Sequence, residues 1–205
     1  MARPRRSEST REALISAGIS QLSVHGYHGT GIKQVLDEVK VPKGSFYNFF
    51  ASKDAFVAEL IKHYCDNMLA RLADYFDHQG QALTPMEKLK AINDLSLQRF
   101  AEKEFATSCL IATISADIDT GNRLCQQALH RAVDDCLHLI TGLFEQGQQA
   151  GEIRGDIQAR HLAQLYWSTW QGVLLRTRVV KNKQEAQQCM EVLLGTLCTT
   201  PDIQA

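Results

Sequence analysis

The sequence predicts an all-α protein of about nine helices, and three observations carry that reading. Apolar residues recur at three- and four-residue spacing along most of the 205 residues, helix caps recur between those stretches, and no convincing run alternates apolar with polar residues as a half-buried strand does. The composition, 44% apolar and 22% charged, is that of an ordinary globular chain with enough residues to bury a sizeable core. The longest apolar runs span a few residues, far short of the ~18 that cross a bilayer. Arg3, Arg5 and Arg6 lead into no apolar signal segment, so a cytoplasmic protein without a membrane partner is expected.

Each element has a local cause. Ser9 or Thr10, with Ser7 as the alternative, can cap a first helix carrying Leu14, Ala17, Ile19, Leu22 and Val24 and ending near His25-Gly26. Tyr27-His28-Gly29-Thr30 reads as a turn, with Thr30 placed to cap a short helix over 31–39 whose inward residues are Ile32, Val35, Leu36 and Val39. Val41-Pro42 stops it, and a very short helix over 43–49 follows. Ser52 opens a long helix through Phe56, Leu60, Ile61, Tyr64, Met68, Leu72 and Phe76, closed by Gly80. Thr84-Pro85-Met86-Glu87 is a capping box with proline at the first helical position, opening a helix to about residue 104. Helices over 109–118 and 120–150 come next. Asp156 is placed to cap another to about 180, and Asn182-Lys183-Gln184-Glu185 is a second capping box before a final helix to about 198.

The net charge of −1 conceals an uneven distribution. Residues 1–53 hold eight basic side chains (Arg3, Arg5, Arg6, Arg11, Lys33, Lys40, Lys43, Lys53) against four acids, a net of +4, which leaves −5 on the remainder. A basic head on an acidic body suggests a polyanion-binding segment attached to a part with another task. The six cysteines form no CxxC pair and follow no secretory signal, so reduced thiols are expected rather than a disulfide framework or structural zinc. His130, Asp134 and His138 share a helical face at metal-ligand spacing, but a solvated polar face is the simpler reading, and no metal site is expected.

A two-turn helix, a tight break and a second short helix is the arrangement that places a helix in the DNA major groove. The break falls at Lys40-Val41-Pro42, and the second helix reads Lys43-Gly44-Ser45-Phe46-Tyr47-Asn48-Phe49-Phe50. Phe46 and Phe50, four apart, can both face inward, leaving Lys43, Ser45, Tyr47 and Asn48 to a partner, while Gly44 lets backbone approach a phosphate. Thr30 and Ser52-Lys53, at helix N-termini, are suited to holding phosphates.

The run from Gly26 to Ile32, then Val35, then Val41 to Phe50 and Ser52-Lys53, closely resembles the helix-turn-helix signature of the TetR/AcrR family of bacterial transcriptional regulators. The resemblance implies a DNA-binding domain over 7–55, with the helix-turn-helix at about 31–50, and an effector-binding and dimerisation domain over 56–205. It implies that Lys43, Gly44, Ser45, Tyr47 and Asn48 belong to the recognition helix and that Thr30 and Lys53 contact the DNA backbone. Phe49 stands where relatives often carry Tyr or His, and Gly31 where they carry Thr or Ser, which removes one phosphate hydrogen bond and weakens one helix start.

The implied partners are an operator duplex, a small-molecule effector and a second copy of the chain. Leu162, Leu165, Tyr166, Thr169, Trp170, Val173 and Leu174 form one apolar stripe suited to pairing, and Val192, Leu193, Thr196 and Leu197 a second; both fit an internal core as well. Phe100, Phe105, Cys109, Tyr64, Trp167 and Trp170 are candidate effector contacts, each also readable as plain core. Ser108-Cys109-Leu110 followed by Ser115-Ala116-Asp117 is similar to the electrophile- and hypochlorite-sensing branch of the family. There Cys109 is the sensing thiol, at a helix N-terminus that lowers thiol pKa, and Arg178 stands in place of a lysine. An inert buried cysteine is the alternative.

An enzyme or a helical adaptor without a DNA role is the rival class. Gly29-Thr30-Gly31 lacks the third glycine of a dinucleotide fingerprint, Gly142 to Gly147 lacks the Lys-Ser/Thr of a P-loop, and HExxH and GxSxG are absent. No catalytic residue and no cofactor is expected.

Overall fold

Nine α-helices and no strand are found among the described residues of the computed structural model, which are 6–107 and 109–199, without the side chains of Arg6 and Leu197. Arg3, Arg5 and Ser108 therefore lie outside the described residues, as do the side chains of Arg6 and Leu197. Every expected helix is present, and the differences are at the ends.

Helix α1 (Arg6–Gly29) starts before its candidate caps, with Glu8 in the first turn where a carboxylate suits the helix dipole. It continues past His25 because Gly26 takes up a kink at φ 71° and ψ −173°, a backbone state that costs glycine little. Helix α2 (Ile32–Val39) is capped at Gly31 rather than Thr30: the Gly31 N–H donates to the Gln34 side-chain oxygen at 2.7 Å, while Thr30 turns inward. Lys40, left-handed at φ 58°, ends α2 before Pro42. Helix α3 (Lys43–Phe46) is shorter than expected. Residues 47–49 follow as turns in which Asn48 N–H donates to Ser45 (3.2 Å) and Phe49 N–H to Phe46 (2.9 Å), the tighter three-residue pattern.

Helix α4 (Lys53–His78) is capped as expected, the Ser52 hydroxyl accepting from Ala55 N–H at 3.0 Å. Helix α5 (Pro85–Ala101) has both arms of the Thr84–Glu87 box and ends early because Glu104 and Phe105 adopt left-handed backbone. Helix α6 (Leu110–Asp117) follows Cys109 as its N-cap, and α7 (Arg123–Gln149) is capped by Asn122, whose oxygen accepts from Cys125 N–H at 3.1 Å. Asp156 does not cap α8 (Ala159–Val180), which begins after Gln158, two residues further on; its carboxylate instead accepts two bonds of 2.7 and 2.6 Å from the Arg154 guanidinium. Before α9 (Lys183–Val192) the Asn182 oxygen accepts from Glu185 N–H at 3.2 Å, but Glu185 returns to the Asn182 amide instead of its backbone. Leu193–Leu197 then form a π-helical turn.

Two compact units result: Met1–Asn67 with Cys109–Val133, and Met68–Ser108 with Asp134–Ala205. The sequence division at residue 55 differs from this, since packing assigns 56–67 and 109–133 to the first unit. There α1 packs on α2 and α6 around buried Leu14, Leu22, Leu60 and Ile114. Gly18 is required by that packing, for a Cβ on it would lie 2.6 Å from Leu60 and Phe56 side-chain atoms. In the second unit α9 packs on α5 and α8 around Leu89, Phe144, Tyr166 and Leu194.

Candidate functional site

In the first unit, the turn from α2 to α3 is anchored from below by aromatic rings. Phe46 is fully buried, its ring 5.3 Å from both Phe50 and Phe56, and Phe50 lies 4.6 Å from Phe56. Arg11 lies over the Phe50 ring at 5.4 Å and ion-pairs with Glu59, so this basic residue is bound into the framework. The opposite side of α3 is open. Lys43, Gly44 and Asn48 are exposed, Ser45 is half-buried, and Tyr47 is 56% exposed, edge-on to Phe46. Among the described residues a Cβ on Gly44 would meet nothing within 4 Å beyond its chain neighbours, so packing within the unit does not require glycine there.

The flanking phosphate candidates are placed differently. Thr30 is 4% exposed and its hydroxyl has no hydrogen-bond partner in the protein, so it neither caps α2 nor faces solvent; only its backbone remains available. Lys53 turns inward: its ammonium donates to the Tyr27 carbonyl at 2.7 Å and lies 4.3 Å from the Tyr27 ring centre. Burial lowers its pKa below the usual lysine value, against Asp54 and Asp117, which favour the charge. Tyr27 donates to Asp54 and accepts from the Asn122 amide at 3.2 Å, and burial with the Asp54 bond pushes its hydroxyl up to about 12. Burial likewise raises the Cys125 thiol to about 11. Of the other basic residues of the head, Lys33 pairs with Asp37 at 2.6 Å, while Lys40 is exposed.

The second unit contains a cavity of about 310 Å³. Its buried end is formed by Ile92, Cys136, Ile140, Tyr166 and Trp170, with Met68, Leu72 and Trp167 along the wall; Arg71, Gln98, Arg99 and Glu102 are the exposed lining residues. The Tyr166 hydroxyl is directed at Asn93 Oδ1 (2.7 Å) and the Leu89 carbonyl (3.0 Å), and burial raises its pKa, so it gives the cavity a ring rather than a polar group.

Residues 14–60 match the model of "Bacterial regulatory proteins, tetR family", and residues 85–193 that of a "Tetracyclin repressor-like, C-terminal domain". The chain belongs to the tetR family. It is similar to the transcriptional regulator AcuR of Cereibacter sphaeroides, 30% identical over 82% of this chain and 76% of that protein. It is also similar to the transcriptional repressor NemR of Escherichia coli K12, 24% identical over 93% of this chain and 94% of NemR. Among solved structures, the regulatory protein TetR from Rhodobacter sphaeroides superposes with a TM-score of 0.83 at 26% identity, covering 91% of this chain and 97% of that one. Reduced E. coli NemR, at 22% identity and a TM-score of 0.80 over 95% of this chain and all of that one, shares the fold. This tetR-family chain is thus a DNA-binding transcriptional regulator with an N-terminal helix-turn-helix.

The body residues chosen from the sequence fare unevenly. Trp167 and Trp170 line the cavity; Phe100, Phe105, Tyr64, Cys109 and Arg178 do not. Cys109 is the N-cap of α6, as its position suggested, but is only 4% exposed, and it belongs to the first unit with Tyr64, whereas Arg178 is a half-buried residue of the second. Arg71 and Arg99, which also line the cavity, carry no sequence expectation of a ligand contact. The available signal was their place beside Met68, Leu72 and Ile92, Leu95 at helical spacing, where a charged residue reads first as a solvated face. His130, Asp134 and His138 are all exposed, and no group of three metal-ligating side chains gathers among the described residues. Among those residues, no helix is long and apolar enough to cross a membrane.

The pairing stripe also needs correction. Leu162, Tyr166, Trp170, Val173 and Leu174 are buried within the chain itself, where α8 packs on α9 and Tyr166 bonds to Leu89 and Asn93 of α5. The α8 face left outside carries Leu165, Ser168, Gly172, Leu175 and Val179, three and four residues apart, with Val179 82% exposed. At the chain's end Leu193 is buried, while Val192 (61% exposed), Gly195 and Thr196 are open.

Proposed function

We propose that this regulator is a homodimeric repressor that leaves a pseudo-palindromic operator when a small molecule fills the cavity of its second unit. The observation that carries the dimer is the exposed α8 face. Leu165, Ser168, Gly172, Leu175 and Val179 repeat at the 3-4-3-4 spacing of a helix-pairing seam, and among the described residues a Cβ built on Gly172 or Gly195 meets nothing within 4 Å beyond its own local backbone. Exposed leucine and valine beside small residues suit a second copy of the same face, the self-complementary contact of a two-fold dimer. Two copies then present two α3 helices to half-sites about one helical turn apart, with Lys43, Ser45, Tyr47 and Asn48 toward the groove.

Release requires only that the effector bind more tightly to the form with lower operator affinity; a differential of 1–3 kcal/mol is the usual range and corresponds to roughly 5–150-fold. The repressor sign is supported by relatives named as repressors, DhaR and NemR. A second reading, electrophile sensing at Cys109, is supported by its N-cap position on α6 and opposed by its burial. The test is sedimentation of the wild type and a Leu175→Glu/Val179→Glu variant, with footprinting of the DNA upstream of the reading frame. A dimer that the variant converts to monomer, and a two-fold symmetric footprint, are expected. A wild-type monomer contradicts the proposal. For the second reading, an alkylating reagent such as N-ethylmaleimide should release the wild type but not Cys109→Ser; equal release removes it.

A further inference from the structure

We infer that the cavity of the second unit takes an amphiphilic carboxylate, its apolar body inward and its carboxylate on Arg71 and Arg99. The inference rests on the effector reading above and gives the ligand a chemical class. The lining is polarised. Tyr166, Trp170, Cys136 and Ile140 are buried at one end, and the Tyr166 hydroxyl is already engaged inside the protein, so this end has rings and aliphatic groups to offer. The charged groups among the exposed lining residues are two arginines, Arg71 and Arg99, against one carboxylate, Glu102, a net charge of +1.

Size sets a second limit. About 310 Å³ is roughly twice the ~150 Å³ of a cavity that holds benzene, which suits a phenyl-substituted or medium-chain acid rather than a long-chain lipid. An ionised carboxylate cannot be buried unpaired, whereas guanidinium groups accept it in a two-pronged geometry. The ring then lies beside Trp167 and Trp170, and an ionised head stays at the arginines. A neutral analogue of the same shape gains the ring contacts and loses the ion pair.

The chain has two tryptophans and both line this cavity, so their emission reports occupancy directly and without DNA. The experiment titrates the dimeric full-length protein with 3-phenylpropanoate, octanoate and the corresponding primary amides, in wild type and in Arg71→Gln, Arg99→Gln and the double variant. Saturable change with the carboxylates, at least tenfold weaker binding of the amides, and loss of that preference in the double variant are expected, with affinity falling as salt rises. Equal binding of acid and amide overturns the inference. So does a preference that survives in the double variant, or no saturable change with either acid. Thermal unfolding of each variant separates loss of the site from loss of the fold. Operator binding by the unliganded variants is measured alongside; if it persists while acid selectivity is absent, the ligand class fails and the repressor reading stands.

Discussion

The two compact units differ in what they leave open: among the large apolar residues of the described chain, the first exposes Tyr47 and Leu124, the second Leu165, Leu175, Val179, Val180 and Val192. The first buries Phe46, Phe50 and Phe56 and presents a short polar helix followed by Tyr47, which is open to solvent and edge-on to Phe46. The second keeps an internal space beside its rings and leaves an apolar stripe on α8. Reading DNA needs a fixed outer surface, while binding a small molecule and a second copy needs a hollow and a seam. The same helix-forming chemistry serves both because the choice of which residues remain uncovered is made position by position.

The largest effect expected is on the seam. Leu175→Glu/Val179→Glu places four like charges across a two-fold contact, and loss of pairing should weaken operator binding by about 10²–10⁴-fold through lost avidity, with each unit's helical content retained. Gel shift and circular dichroism check this together. Next is the aromatic anchor: Phe46 is fully buried among rings, so Phe46→Ala should cost about 3–5 kcal/mol in urea unfolding while leaving the tryptophan signal of the cavity the later to change. A smaller effect separates fold from surface. Gly44→Ala has free space within the protein and should hold or raise stability by up to about 1 kcal/mol, yet lower operator affinity about tenfold if DNA backbone approaches there.

The smallest effect is alkaline. Tyr27 titrates near 12 in the folded protein against about 10 unfolded. A raised tyrosine pKa stabilises the neutral form, so its contribution is present below pH 10 and is lost as pH rises from 10 through 12. The melting temperature should fall over that window, and the fall should be shallower in Tyr27→Phe.

How far each unit could be read from its sequence follows the same contrast. The helix-turn-helix is encoded within about twenty consecutive residues, where cap, break and aromatic spacing are all local, so its fold and exposed residues were legible. Lys53 was not, because its orientation depends on partners distant in sequence: Tyr27 lies 26 residues away, and the Asn122 contact of Tyr27 is 95 residues away; nor was Thr30, whose burial no local cap pattern announces. The cavity draws on four helices, and no local pattern distinguishes a tyrosine or cysteine beside a hollow from one in a filled core. Asp156 shows the limit on a small scale: it carries a good capping side chain, yet α8 begins after Gln158 and the carboxylate pairs with Arg154.

DNA binding by this regulator rests on the affinity of the first unit's exposed face for its operator. Binding of the full-length protein to the duplex upstream of its own reading frame is measured between 50 and 200 mM salt, for wild type and for Lys43→Ala/Tyr47→Ala. A tight complex whose affinity falls steeply with salt is expected, as is a double variant that folds normally but binds at least tenfold more weakly with a shallower salt slope. A wild-type protein with no salt-dependent complex on that DNA, or a double variant that binds as tightly as wild type, would contradict that expectation.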